Sequence, residues 1–241
     1  MIQHLVVNGC SYIDVYASGG GAHDLADRLG MQTCENLALG GSCNSRIIRT
    51  TAKHALQNNL RPSFYLLGMS FMNRWEIPVS PSDDKFEGTW INPQSRHQEK
   101  YLGPWTQEKT HEWADLNFDA HVFGMLDMLE NLSYQLLSLR LLLEQHGHRL
   151  LVFRQIDDLP EQEILQYLED PRLDIIFGDP MLFVDRYQWA AVHWQHQQGV
   201  PQSAIRNDPP PPPEFRHRRP GHHAQVNEYL TDYIKRNTIL E

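Results

Sequence analysis

The sequence is poor in cysteine, in positive charge and in long apolar runs. Its three cysteines, Cys10, Cys34 and Cys43, lack the paired spacing of a metal site, so reduced thiols are expected. Lys and Arg number 21 against 30 Asp and Glu, which disfavours nucleic acid as the main partner despite a basic patch at Arg216 to Arg219. No apolar run approaches the roughly 20 residues of a membrane span, and the segment after Met1 does not resemble a signal peptide. The expected protein is soluble, cytoplasmic and not secreted.

The rest of the composition is that of a folded chain with a substantial core. At 41% hydrophobic and 21% charged, its 241 residues suit one α/β domain, residues 1–241. Apolar runs that stop at turn residues predict strands, and apolar positions three or four apart predict helices. Strands are predicted at 1–8, ending at 36–39, and at 64–67, 150–153 and 173–177; helices at 22–29, 44–56, 118–143, 160–168 and 226–234. This alternation predicts a three-layer αβα sandwich around a mostly parallel sheet of about five strands.

Two segments fall outside this pattern. Residues 77–117 have no periodicity and are interpreted as an irregular insertion or lid. Tryptophans in that segment could stack on a sugar ring or could give the loop a small core of its own: Trp90, Trp105 and Trp113. Five consecutive prolines within 208–213 predict a stiff polyproline spacer.

The residues that follow the predicted strands are polar and rich in glycine. These stretches run from Asn8 to Tyr12, from Asn36 to Asn44, from Gly68 to Glu76 and, near the C-terminus, from Pro220 to Asn227. In an open parallel sheet, ligands collect at the carboxyl ends of the strands. Hydroxyl, amide and imidazole groups that converge there could supply a nucleophile, oxyanion donors and a general base. Cys10 directly follows the first predicted strand, and neighbouring residues along a strand point to opposite faces. Its side chain is therefore expected to point away from that of Ser11 and into the core.

The N-terminal 76 residues resemble the SGNH, or GDSL-like, hydrolases, in a divergent branch like that encoded by tailed phages of cyanobacteria. The segment Gly9-Cys10-Ser11-Tyr12 stands where that family has Gly-Asp-Ser-Leu, so the resemblance implies that Ser11 is the nucleophile. Asn36 and Gly41 match the second block, which implies that the amides of Ser11 and Gly41 bind the oxyanion. Without the resemblance, Ser11 could equally be a helix cap or turn residue.

The third block departs from the family pattern. Where the family has Gly-x-Asn-Asp, this chain has Gly68-Met69-Ser70-Phe71, so the usual oxyanion asparagine is missing. Ser70 occupies its place, and Asn73 could substitute if the loop bends differently. Losing one oxyanion donor costs about 10²- to 10³-fold in rate, so a slow enzyme is predicted.

The last block also departs from the pattern. The family has Asp-x-x-His before its final helix; here His222 or His223 would be the general base, with no aspartate three residues earlier. Asp208 or Glu214 could supply the carboxylate, or a backbone carbonyl could orient the imidazole instead. Loss of that carboxylate cost roughly 10⁴ in turnover in a well-studied triad. These histidines could alternatively be only a solvated helix start.

Candidate substrate-binding residues follow the second and third predicted strands. They are Asn44, Arg74 and Glu76. Arg74 and Glu76 could hold a substrate carboxylate or a sugar hydroxyl, or could form a surface ion pair. The stretch from Ser42 to Asn44 is also typical of a helix cap.

No cofactor and no metal are expected. Gly19 to Gly21 lack the spacing of a dinucleotide-binding loop, and there is no P-loop. His193 and His196 have the spacing of a ligand pair but lack a third ligand.

Two functions are therefore compared. The first is an SGNH-like serine esterase or deacylase that acts on an O-acyl ester, with a carbohydrate ester as one candidate substrate. The second keeps the fold without catalysis, as a glycan-binding or phage structural module, and is motivated by the departures in the third and last blocks. Nucleic-acid handling through Arg216, Arg218 and Arg219 is a weaker third option.

Overall fold

A computed structural model gives the arrangement of most predicted elements. It describes residues 2–58, 61–70, 76–78, 90–91, 125–154 and 223–241. The helix predicted at 160–168, the strand at 173–177 and the spacer at 208–213 lie outside these residues, as do Trp105, Trp113, His193 and His196. No helix in the described ranges combines the length and apolar character needed to span a bilayer.

Six strands and five helices follow one another within these ranges. The chain order is β1 His4–Gly9, α1 Ser11–Ser18, α2 Gly21–Arg28, β2 Thr33–Asn36, α3 Asn44–Gln57, β3 Ser63–Met69, β4 Ile77–Pro78, β5 Trp90–Ile91, α4 Met125–Gln145, β6 Arg149–Arg154 and α5 His223–Arg236. Each element described over a predicted range has the predicted type.

Four of the strands form one parallel sheet in the order β2-β1-β3-β6. The chain leaves β1 toward β2 on one side and later continues through β3 to β6 on the other. The order therefore reverses between β1 and β3, and this is the place where open α/β sheets bind ligands. The α/β class and the parallel sheet are confirmed.

Helices cover both faces of this sheet. Alternate residues of β1 point to opposite sides, so Leu5 and Val7 pack with α1, α2 and α5, whereas Val6 packs with α3 and α4. All three residues are fully buried. The described elements thus form the predicted three layers, with one hydrophobic core on each face.

Two local features differ from the sequence-based expectations. Helix α1 was not predicted: it makes only about two turns, and its described buried residues are Ile13, Tyr16 and Ala17. Within the predicted insertion, β4 and β5 pair antiparallel in a small sheet of their own, through Ile77 with Ile91 and Pro78 with Trp90.

Candidate functional site

The register of the sheet brings three predicted site residues to one edge. Gly9 ends β1 and lies beside Gly68 of β3, and its carbonyl accepts a hydrogen bond from Leu39 N–H at 3.2 Å. Ser11 and Ser70 each lie two residues beyond the paired glycines. Since two residues span about 7 Å at most, both lie close to the point where the strand order reverses. Gly41, likewise two residues beyond Leu39, belongs to the same edge.

A buried asparagine fixes the chain just before Ser11. Asn8 Nδ2 is surrounded by three oxygens of α3: the Ile47 carbonyl at 3.0 Å and the hydroxyls of Thr50 and Thr51, each at 2.9 Å. Asn8 Oδ1 accepts from Gly9 N–H at 2.9 Å. The fully buried amide therefore ties the end of β1 to α3.

Gly9 allows β1 and β3 to approach each other at this edge. A Cβ atom on Gly9 would lie 2.5 Å from Ile13 Cγ1 and 2.9 Å from the Gly68 carbonyl oxygen. Such a side chain would have to displace the Ile13 side chain of α1 and the Gly68 backbone of β3. Glycine is therefore required here by space, two residues before the predicted nucleophile.

The turn that carries Gly41 is held from both sides. Ser42 N–H donates to the Leu39 carbonyl at 3.1 Å, and Gly41 has φ +81°, the conformation of the third residue of a type II turn. The Ser42 hydroxyl also donates to the Leu39 carbonyl, at 2.7 Å, and accepts from Arg46 Nη1 at 3.0 Å. Arg46, a residue that the sequence analysis did not single out, thus helps to fix the predicted oxyanion donor.

Ser70 is joined to α3 by the side chain of Asn44. Ser70 N–H donates to Asn44 Oδ1 at 2.7 Å, and Asn44 Nδ2 donates to the Ser70 carbonyl at 3.2 Å. Both residues are buried. Because the Ser70 amide is engaged in this way, oxyanion donation from Ser70 would have to come from its hydroxyl.

Glu76 pairs with a residue that the sequence did not suggest. Arg49 on α3 donates to its carboxylate twice, from Nε to Oε1 at 3.1 Å and from Nη2 to Oε2 at 2.7 Å. The Glu76 side chain is 6% exposed and that of Arg49 is 33% exposed. This bidentate ion pair anchors the start of the insertion to α3. Arg74, the partner that the sequence suggested for Glu76, lies outside the described residues.

Helix α5 is tied to α1 and α2 by one buried amide. The Tyr16 hydroxyl donates to Asn227 Oδ1 at 2.5 Å, and Asn227 Nδ2 donates to the Gly21 carbonyl at 2.8 Å and to Asp24 Oδ2 at 2.7 Å. Asn227 is fully buried. The hydrogen bond from Asn227, opposed by partial desolvation and assisted by Arg28, lowers the pKa of Asp24.

These contacts also set the direction of α5. Beyond its C-terminal end, the Glu241 carbonyl lies 3.4 Å from Arg149 Nη2, at the amino end of β6. Helix α5 therefore begins, at His223, near the carboxyl edge of the sheet, where α1 begins at Ser11. Ser11 precedes Tyr16 by five residues, about 7.5 Å of helix, and His223 precedes Asn227 by four, about 6 Å. The two helices therefore begin at similar distances from the Tyr16–Asn227 contact, measured along their axes.

The electrostatics of this edge favour negative charge. Helices α1, α3 and α5 all begin here, and helix N-termini carry a partial positive charge and backbone N–H groups without intrahelical partners. Cys43 caps α3, its sulfur accepting from Arg46 N–H at 3.4 Å. Burial raises the pKa of the Cys43 thiol to about 11, so this thiol is neutral at pH 7 and unsuited to act as a thiolate nucleophile.

The structure thus brings together the backbone positions of Ser11, Gly41 and Ser70, together with Asn44. The side chains of Ser11 and His223 are outside what the structure describes, as are residues His222, Asn73 and Arg74 altogether. Cys10 is fully buried, as predicted. Asn36 is exposed, and its Oδ1 accepts from Ala38 N–H at 2.9 Å, shaping the exit from β2.

Sequence reasoning included Asn8 and Asn227 in its candidate stretches without assigning them a role, and it did not single out Tyr16, Arg46 or Arg49, which also hold this edge in place. One signal was available, because Asn8 is a polar residue directly after an apolar strand run. Within the described ranges, no group of three or more His, Cys, Asp or Glu side chains is arranged to hold a metal ion.

No protein-family model matches the chain, and no curated protein matches it in sequence. Among solved structures, TesA aligns with 14% identity over 97% of this chain and 98% of its own, with a TM-score of 0.48. The psychrotrophic esterase EstA from Pseudoalteromonas sp., in a form inhibited by monoethylphosphonate, aligns with 9% identity over 97% of both chains and a TM-score of 0.49. Likenesses of this strength do not transfer an activity.

Proposed function

We propose that the protein is a serine esterase or deacylase that hydrolyses an O-acyl ester. The observation that carries this proposal is the register at Gly9, which supports a common location for Ser11, Gly41 and Ser70 at the point of strand-order reversal. A nucleophile at a helix start beside oxyanion donors is the arrangement that acyl transfer requires.

The general base comes from the start of α5. The hydrogen bond between Tyr16 and Asn227 supports this, because it sets α5 against α1 and turns its first residues toward the Ser11 edge. Either His222 or His223 fills the role. A buried, fully bonded amide such as Asn227 holds two helices in one relative position, and general-base catalysis needs that constancy.

The reaction proceeds in two steps, acylation of Ser11 and hydrolysis of the acyl-serine. Ser11 Oγ bonds to the acyl carbon while the histidine takes its proton, and the carbonyl oxygen becomes an anion bound by the amides of Ser11 and Gly41 and the hydroxyl of Ser70. The bond from the acyl carbon to the alcohol oxygen then breaks, and the histidine returns the proton to the leaving alcohol. Water, deprotonated by the same histidine, next attacks the acyl-serine; the bond from the acyl carbon to Ser11 Oγ breaks, the histidine gives its proton to Oγ, and the acid is released.

The test combines turnover with covalent labelling. Short p-nitrophenyl esters are assayed with wild type, Ser11→Ala, His222→Ala and His223→Ala, and a fluorophosphonate probe is mapped by mass spectrometry. Ser11→Ala should lower kcat by about 10³-fold or more and abolish labelling, and one histidine variant should show a comparable loss. Ser18→Ala, an exposed serine at the other end of α1, is the matched control and should behave as wild type.

Equal turnover by wild type and Ser11→Ala, or a label on another residue, would reject Ser11 as the nucleophile. Glycan binding by a wild-type protein that neither turns over ester nor takes the label would favour the binding module instead.

A further inference from the structure

Asn44 connects the two segments that carry the proposed oxyanion donors Gly41 and Ser70. It is the first residue of α3, three residues after Gly41, and its amide bonds both to the N–H and to the carbonyl of Ser70. One side chain therefore spans from the helix that follows the Gly41 turn to the loop that follows β3. The residue is 8% exposed, so this link is shielded from water.

We propose that Asn44 is a positioning residue that fixes the distance between Gly41 and Ser70 and so sets the width of the oxyanion site. This inference rests on the proposed function and deepens it: the residue does not touch substrate but determines where the donors stand. The sequence suggested substrate contact for Asn44; the proposal replaces that role, because each polar atom of the amide is engaged by the Ser70 backbone.

The rigidity of α3 is what makes such a link effective. The helix is bonded to the end of β1 through Asn8, to the start of the insertion through Arg49, and to the Gly41 turn through Arg46 and Ser42. Asn44 therefore holds Ser70 against α3, the same helix that holds the end of β1, just before Ser11, through Asn8. An oxyanion donor displaced by about 1 Å can cost up to about 10²-fold in rate.

The experiment compares an oxyester with its thionoester, in which sulfur replaces the carbonyl oxygen. Sulfur is a weak hydrogen-bond acceptor, so oxyanion donors accelerate the oxyester much more than the thionoester. Asn44→Ala should lower kcat on the p-nitrophenyl oxyester by about 10- to 100-fold with little change in KM, while the thionoester rate changes far less. The oxyester-to-thionoester rate ratio should therefore fall.

Two further variants separate positioning from general damage. Asn44→Asp keeps an acceptor for Ser70 N–H but loses the donor to the Ser70 carbonyl, so it should fold and still show a lowered ratio. Leu143→Ala removes packing from α4 below the sheet and should reduce thermal stability while leaving the ratio as in wild type.

The outcomes are distinguishable. If wild type does not turn over the ester through Ser11, the proposed function fails, and this inference fails with it. If wild type does so, yet both Asn44 variants keep the wild-type ratio, the positioning role alone is overturned, whatever happens to their stability.

Discussion

The backbone N–H of Ser63 donates to His148 Nδ1 across 3.0 Å and so joins the first residue of β3 to the residue before β6. Because Nδ1 accepts, the proton of the neutral ring is on Nε2, which is buried and has no hydrogen-bond partner among the described residues. Burial, together with His146 and His54 nearby, lowers the pKa of His148 below its ordinary 6.5. Protonation of Nδ1 would also break the bond to Ser63.

Acid is therefore expected to destabilise the fold through His148. The unfolded chain binds this proton at a higher pH than the folded one, so stability is full above about pH 6.5 and declines below it, by at most about 1.4 kcal/mol per pH unit for this group. His148→Gln, which keeps an acceptor for Ser63 N–H, should show a shallower decline between pH 7.5 and 5.5 in urea unfolding. His23→Gln, at an exposed site on α2, should keep the wild-type slope. Parallel curves for wild type and His148→Gln would contradict this assignment.

The pair of Arg49 and Glu76 should be worth more than an ordinary surface ion pair. A double-mutant cycle with Arg49→Met and Glu76→Gln, read by urea unfolding, is expected to give a coupling of about 1–3 kcal/mol, because the carboxylate is almost fully shielded and is bound by two charge-assisted hydrogen bonds. Arg140 and Glu144, one helical turn apart and with a carboxylate side chain that is 42% exposed, provide the control, with about 0.3–0.5 kcal/mol expected. Equal coupling in the two cycles would show that burial adds nothing.

Gly9→Ala should reduce both stability and ester turnover, whereas replacement of Gly30, in the turn after α2, should reduce stability only. The methyl group added at Gly9 would meet Ile13 and the Gly68 carbonyl, so a loss of about 1–3 kcal/mol in the free energy of unfolding is expected. Gly30→Ala is the control: Gly30 has φ +70° and open space around it, so only the backbone penalty of roughly 1–2 kcal/mol applies. On the proposed function, Gly9→Ala should also reduce ester turnover, whereas Gly30→Ala should not.

The sequence predicted the layers of the fold because their signals are local. Apolar runs such as Leu5 to Val7 and the three- or four-residue steps along α4 are set by neighbours in the chain, so β1, β3, β6, α3, α4 and α5 could all be located. Helix α1 was not predicted because apolar residues follow one another almost continuously from Tyr12 to Ala17. Two turns are too short to show the three- or four-residue spacing of apolar positions that marks a helix.

The site was predictable only as a set of positions. Glycines and polar residues after strands indicated which loops matter, but the bonds that hold them join residues far apart in sequence, such as Asn8 with Thr51 and Asn44 with Ser70. A single sequence carries no local signal for such pairs. The partner of Glu76 was missed for the same reason, since Arg49 lies 27 residues earlier.

The bond between Tyr16 and Asn227 spans 211 residues, and this separation has a consequence for biosynthesis. While a ribosome is still making the middle of the chain, the apolar face that includes Leu5, Val7 and Leu25 has no α5 to cover it. During synthesis, this apolar face of the early strands and helices is therefore accessible to chaperones or to other nascent chains. Among the described residues that are made later, the segment 223–241 supplies apolar side chains that pack on that face, including Val226 and Leu230.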